Sequence, residues 1–136
     1  MRVSSNTKPE LVKIIVVDDR AIVRFAENIT EENREEETVY FYDEYQIETK
    51  NRPTLKISVE KNFDSWMAKA KQAETDVLAA EIRRKRNSMI SETDYFFLTD
   101  REIDAETKAA LEAYRQELRD ITDQKGFPYN VKWPIL

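Results

Sequence analysis

The sequence has no cysteine and no histidine, and its single glycine stands at position 126. Without cysteine there is no disulfide framework, no thiolate nucleophile and no cysteine-based zinc site, and nothing marks the redox compartment. Without histidine the commonest general base and the commonest metal ligand are missing. A chain with no glycine before Gly126 cannot build a glycine-rich phosphate loop or a dinucleotide-binding turn upstream of it. The longest apolar run, IIVV at 14–17, falls far below the roughly 18 residues of a membrane helix. No leader segment is evident either, so a soluble, cytoplasmic protein without a membrane partner is expected, its Asn28-Ile-Thr30 sequon unused. Only carboxylate, lysine, hydroxyl or carboxylate-bound metal chemistry remains, and no acid–base or nucleophilic set is assembled from it. The expectation is a protein that is not an enzyme and carries no cofactor, catalytic residue or metal site.

Charge is what the chain has in quantity: 27 acidic and 22 basic residues, a formal net charge of −5, and 36% charged against 40% hydrophobic residues. Such a composition buries a modest core and suits a helical or elongated shape, and 136 residues make one domain the default. The acidic balance speaks against a nucleic-acid partner, whose footprint is normally basic.

Residues 1–12 are polar, carry Pro9 and read as a loose start. β-Branched runs follow at 13–17 and 20–27, where Ala21, Val23 and Phe25 alternate with Ile22, Arg24 and Ala26, and Asp18-Asp19 is the expected turn between them. A third strand is expected at 38–47, making residues 1–50 a small antiparallel β region. The acidic stretch 30–37 reads as a solvated hairpin tip, since it lacks the alternating ligands and turn glycine of a calcium loop. Tyr40, Tyr42 and Tyr45 serve either to cover a small sheet or as a contact surface.

Residues 51–93 read as one long helix after Pro53, with Thr54 as N-cap. Val59, Phe63, Trp66, Ala70, Ala73 and Val77 step by 4, 3, 4, 3 and 4, the spacing of a heptad seam. A helix over residues 55–90 would run roughly 54 Å at about 1.5 Å per residue. Two uses stand open for that stripe: packing against the rest of the chain, or a coiled-coil homo-oligomer. The basic run RRKR at 83–86 cannot form one flat patch on a helix, and acidic neighbours on both sides offer it intramolecular partners.

Residues 94–136 form the third region. The aromatic run at 95–98 is expected to fold back into a core. Asp100 or Asp104 is expected to start an amphipathic helix carrying Leu111, Tyr114, Leu118 and Ile121, with Asp104 as N-cap suiting the helix dipole and the helix placed antiparallel to the end of the long helix. Arg115 and Arg119 lie four apart and call for an acidic counterpart, with Glu92, Asp94 and Asp100 as intramolecular candidates and a partner protein's carboxylates as the alternative. Gly126, free to take positive φ, is read as the stop of that helix or of a following turn. Pro128 and Pro134 hold an extended tail whose Val131 and Trp133 share one side, expected to dock on the protein's own helices.

The fold class is therefore α+β: a small N-terminal antiparallel β element, one long central helix, and a C-terminal antiparallel helical hairpin with an extended tail. The ordered series LTD at 98–100, YRQELRD at 114–120, GFP at 126–128 and a terminal WP at 133–134, with Asp94 after the basic run, resembles the phage tail assembly chaperone family over residues 83–136. The family-motif positions are Asp94, Asp100, Tyr114, Arg115, Gln116, Leu118, Arg119, Asp120, Gly126, Phe127, Pro128, Trp133 and Pro134. Thr122 stands where the family pattern has proline, which leaves the end of the second helix open. The resemblance implies help in tail or tail-fibre assembly by binding a phage tail or tail-fibre protein, and no reaction. The rival readings are a structural tail or baseplate subunit and, using residues 83–86, a nucleic-acid-binding regulator.

Overall fold

Alternation along one long strand organises the first half of the chain. In a computed structural model, which describes residues 1–136, this strand is β3 (Arg20–Asn33), and its Ala21, Val23 and Phe25 are fully buried. β2 (Val12–Val17) precedes it across the Asp18-Asp19 turn, and β4 (Thr38–Lys50) follows it. Asp18 takes φ 54° in that turn, a left-handed conformation that Asp tolerates better than most residues. β1 (Arg2–Ser5) pairs with the far side of β4, so the sheet is antiparallel, four-stranded and ordered β1-β4-β3-β2.

The loose start and three-strand count expected from the sequence are corrected here. β1 has no apolar alternation to announce it; polar contacts far along the chain hold it instead. Its Arg2 donates to the Asn28 carbonyl at 3.0 Å, to Thr30 Oγ1 at 3.1 Å and to Asp43 Oδ1 at 3.3 Å. These groups sit at a register shift of β3 between Glu27 and Thr30, where Asn28 takes φ 51°. The Asn28 amide, followed by the Arg2 guanidinium, holds the Asp43 carboxyl below its ordinary value. The hairpin tip is also shorter than the acidic stretch 30–37 suggested: β3 runs to Asn33 and β4 begins at Thr38.

The expected single long helix is two. α1 (Leu55–Lys61) stops at Asn62, whose side chain donates to the Ser58 carbonyl at 3.2 Å. An Asn amide competing for backbone groups is a common helix terminator. α2 (Phe63–Glu92) then starts afresh. Thr54 stands at the N-cap of α1 but its side chain makes no cap bond. Leu55 and Val59 of α1 and Trp66 and Ala70 of α2 pack with Ala21, Val23 and Phe25 into one core, flanked by Phe63, Met67, Tyr45 and Ile47. Phe25 and Phe63 meet edge to face at 5.4 Å. Burial of aromatic and aliphatic side chains at this scale contributes about 1.5–3 kcal/mol per residue. The Glu27 carboxylate of β3 bonds Lys71 of α2 and keeps that ammonium above its ordinary pKa.

The first four residues of the heptad stripe, Val59, Phe63, Trp66 and Ala70, therefore face the chain's own sheet. Ala73 is half-buried and Val77 is 58% exposed. A helical interface over 59–70 would have to displace β3 and β4.

The chain divides into two compact units, Met1–Glu74 and Thr75–Leu136, and the division falls within α2. The second unit holds the rest of α2, a 3-10 turn at Asp94–Phe97, α3 (Ala105–Arg119), a second 3-10 turn at Asp120–Asp123, and the tail. Its buried residues are Ala79, Thr93, Leu111, Leu118, Ile121 and Pro128. No helix is long and apolar enough to cross a membrane.

Candidate partner-binding surface

α3 begins at Asp104, the second of the two starts that the sequence offers. Asp104 accepts from the Thr107 amide at 2.8 Å and from Thr107 Oγ1 at 2.7 Å, and these bonds, the backbone one first, hold its carboxyl below the ordinary value. The helix ends at Arg119 and continues as the 3-10 turn, so Thr122 neither prolongs the α-helix nor stops it.

Along α3 the motif residues separate by face. Leu118 is fully buried and Tyr114 half-buried. Arg115 reaches back to the end of α2, donating to Thr93 Oγ1 at 2.8 Å and Asp94 Oδ1 at 2.7 Å, with its guanidinium 5.0 Å from the Phe97 ring. Thr93, itself buried, donates its own hydroxyl hydrogen bond to the Ile90 carbonyl at 2.7 Å. Of the three carboxylates proposed as Arg115 counterparts, Asp94 is the one that meets it. Gln116, Arg119 and Asp120 point outward: Gln116 bonds Asp120 at 2.8 Å, while Arg119 and Asp100 make no ion pair.

The aromatic run does not fold into a core as expected. Tyr95 and Leu98 are exposed, because a 3-10 turn aims successive side chains in different directions and only Phe96 and Phe97 become half-buried. Arg101 lies 4.0 Å over the Tyr95 ring. Beside them opens a groove of about 470 Å³ lined by Phe96, Phe97, Leu98, Arg101, Ile103 and Lys108 among others. No sequence signal announces this groove, since a short non-periodic run carries no facing information.

The tail is held by a device that periodicity also misses. The Gln124 side-chain amide accepts from the Lys132 N–H at 2.8 Å and donates to the Lys132 carbonyl at 2.7 Å, pairing with the backbone as a strand residue would. Between those ends Asn130 N–H donates to the Gly126 carbonyl at 2.6 Å. Gly126 does not take the positive φ expected of it; a Cβ there would collide with the Asn130 carbonyl, so glycine is required for closeness rather than handedness. Pro128 is buried after a cis peptide bond, and Tyr129 Oη meets Thr75 Oγ1 at 2.7 Å. Two residues of the basic run take aromatic partners, Arg83 over Phe127 at 5.4 Å and Lys85 over Trp133 at 4.3 Å, while Arg86 donates to Asn87 Oδ1 at 3.0 Å. Pro134 is half-buried and the following Ile135 is 95% exposed.

No cluster of three or more carboxylates could hold a metal ion. Against this geometry, residues 79–136 match the family described as phage tail assembly chaperone protein. The match covers less than half of the chain and lies wholly inside the second unit. No curated protein and no solved structure matches the chain.

Proposed function

We propose that the protein assists assembly of a phage tail or tail fibre by binding a tail protein, without catalysis, through the groove and exposed side chains at residues 95–108. One observation carries this reading: inside the family-matched segment, Tyr95 and Leu98 are left exposed beside an open, partly apolar groove whose rim bears Arg101 and Lys108. Aromatic and Arg side chains at such a place are the residues that dominate protein–protein binding. The outward Arg119 extends the same kind of contact along α3. Motif residues that turn inward, Tyr114, Arg115, Leu118, Gly126 and Trp133, keep the segment folded so that this surface is presented.

Coexpression with a phage tail or tail-fibre protein, followed by pulldown and a fibre-solubility assay, tests the reading. The wild-type chain raises soluble partner and co-purifies with it. The double substitution Tyr95→Ala and Leu98→Asp abolishes co-purification while far-UV circular dichroism stays unchanged. Unchanged partner yield with the wild-type chain would sink the proposal. A chaperone is also absent from finished virions by mass spectrometry, whereas a structural tail subunit is retained.

A further inference from the structure

The two edges of the sheet are treated differently. β1 is short and polar, with Arg2, Ser4 and Ser5, which is how natural sheets blunt an edge. β2 at the opposite edge is longer, reads VKIIVV, and carries Lys13 as its one charged residue. Val16 and Val17 are 53% and 55% exposed there.

The direction of its backbone groups follows from the hairpin. Val17 pairs with Arg20 across a two-residue turn, so odd-numbered residues of β2 bond toward β3. The Ala26 N–H donating to the Leu11 carbonyl at 3.1 Å continues that same phase. Val12, Ile14 and Val16 consequently turn their N–H and C=O groups to the open side. Next to them lies a groove of about 550 Å³ with Val12, Ile14 and Val59 among its lining, bordered by Glu10, Lys13, Lys56 and Glu60. Ile57, on the helix that forms this groove's wall, is also exposed.

We infer that β2 is a docking edge for a second copy of this chain, joined antiparallel through a two-fold axis at Ile15. That register sets Ile14 against Val16 of the other copy as a pair exchanging main-chain bonds, and delivers apolar side chains to both grooves. The charge order of the strand selects the occupant. Lys13 opens it and Asp18-Asp19 close it, so antiparallel self-pairing places Lys13 of one copy diagonal to Asp19 of the other, whereas parallel pairing would set like charges together. The groove's border carries two lysines and two glutamates and is likewise complementary to itself.

The absence of cysteine makes the test direct. At Ile15 the two copies form a non-bonded pair with Cα atoms about 4.5 Å apart, within disulfide reach. In the full chain, Ile15→Cys therefore cross-links most molecules under mild oxidation, and Val77→Cys, on the exposed part of the helical stripe, does not. Light scattering gives a mass rising with concentration toward twice 16.1 kDa, and Val16→Lys returns it to that of one chain. Val17→Lys does the same on the other face and serves if Val16→Lys fails to fold. A mass fixed at one chain across all concentrations overturns the inference. So does a dimer indifferent to both lysine substitutions, or one cross-linked through Val77→Cys instead. A chain that is monomeric alone, and binds a foreign strand in a Val16→Lys-sensitive manner, overturns the second copy as occupant.

Discussion

Arg115 joins two elements through one side chain, and its contacts differ in worth. Asp94 is 60% exposed, so that ion pair is screened by solvent and contributes little on its own. The bond to buried Thr93 and the stacking on Phe97 lie in drier surroundings. We expect Arg115→Ala to cost about 2 kcal/mol in urea unfolding, the usual scale for a hydrogen bond to a charged group. Arg115→Lys falls between, since an ammonium retains the charge and loses the planar fork and the stacking. Asp104 gives a pH signature with a fixed sign. Its carboxyl is depressed in the folded chain, so its contribution is present above the ordinary 3.8 and disappears as pH falls through the lower folded value. The protection of the Thr107 amide, its exchange rate measured against that of an unstructured peptide at the same pH, should fall below pH 3.8, read locally because Asp43 titrates in the same direction in the first unit. Asp104→Asn keeps a cap and removes that acid dependence.

At the scale of elements, the tail clasp rests on Gly126 and Gln124 acting together. Gly126→Ala forces a Cβ onto the Asn130 carbonyl, and overpacking of this kind costs about 1–3 kcal/mol. We expect it, and Gln124→Ala, to raise acrylamide quenching of Trp133 in a Trp66→Phe background; Gln124→Glu, which accepts from Lys132 N–H but cannot donate to its carbonyl, gives half the effect. The elements were unequally legible in the sequence. Strand alternation at 21–25 identified the buried face, and the 4-3 stripe identified the apolar side of the helices, because burial imposes both periods. The stripe could not name its partner: a sheet and a second helix present the same apolar surface to Trp66 and Ala70. β1 and the Gln124 clasp were illegible because their bonds join polar side chains to distant or irregular backbone, and polarity without period reads as loop. The break at Asn62 was equally hidden, since a single Asn in good helix-forming sequence carries little weight until its amide is seen on the Ser58 carbonyl.

For the whole molecule, each compact unit owns one tryptophan, Trp66 in the first and Trp133 in the second. Single-tryptophan variants thus report the units separately. Phe25→Ala, worth about 3–5 kcal/mol, should lower the denaturation midpoint read by Trp66 more than the one read by Trp133, and Leu118→Ala, worth about 2–5 kcal/mol, should do the reverse. Equal shifts at both probes would mean the units melt as one. The candidate site follows the same division: the motif series marked the second unit and correctly separated it from the sheet, but mixed residues that hold the fold with residues that face outward, because a motif records spacing and says nothing of direction. The strand order carries one more consequence. β1 and β2 are neighbours in the chain and lie on opposite edges, so Arg2 finds Asp43 only after the intervening hairpin has been made. During synthesis on the ribosome, β1 emerges before its only sheet neighbour, β4, and so stays without a strand partner until all of β2, β3 and β4 have been made.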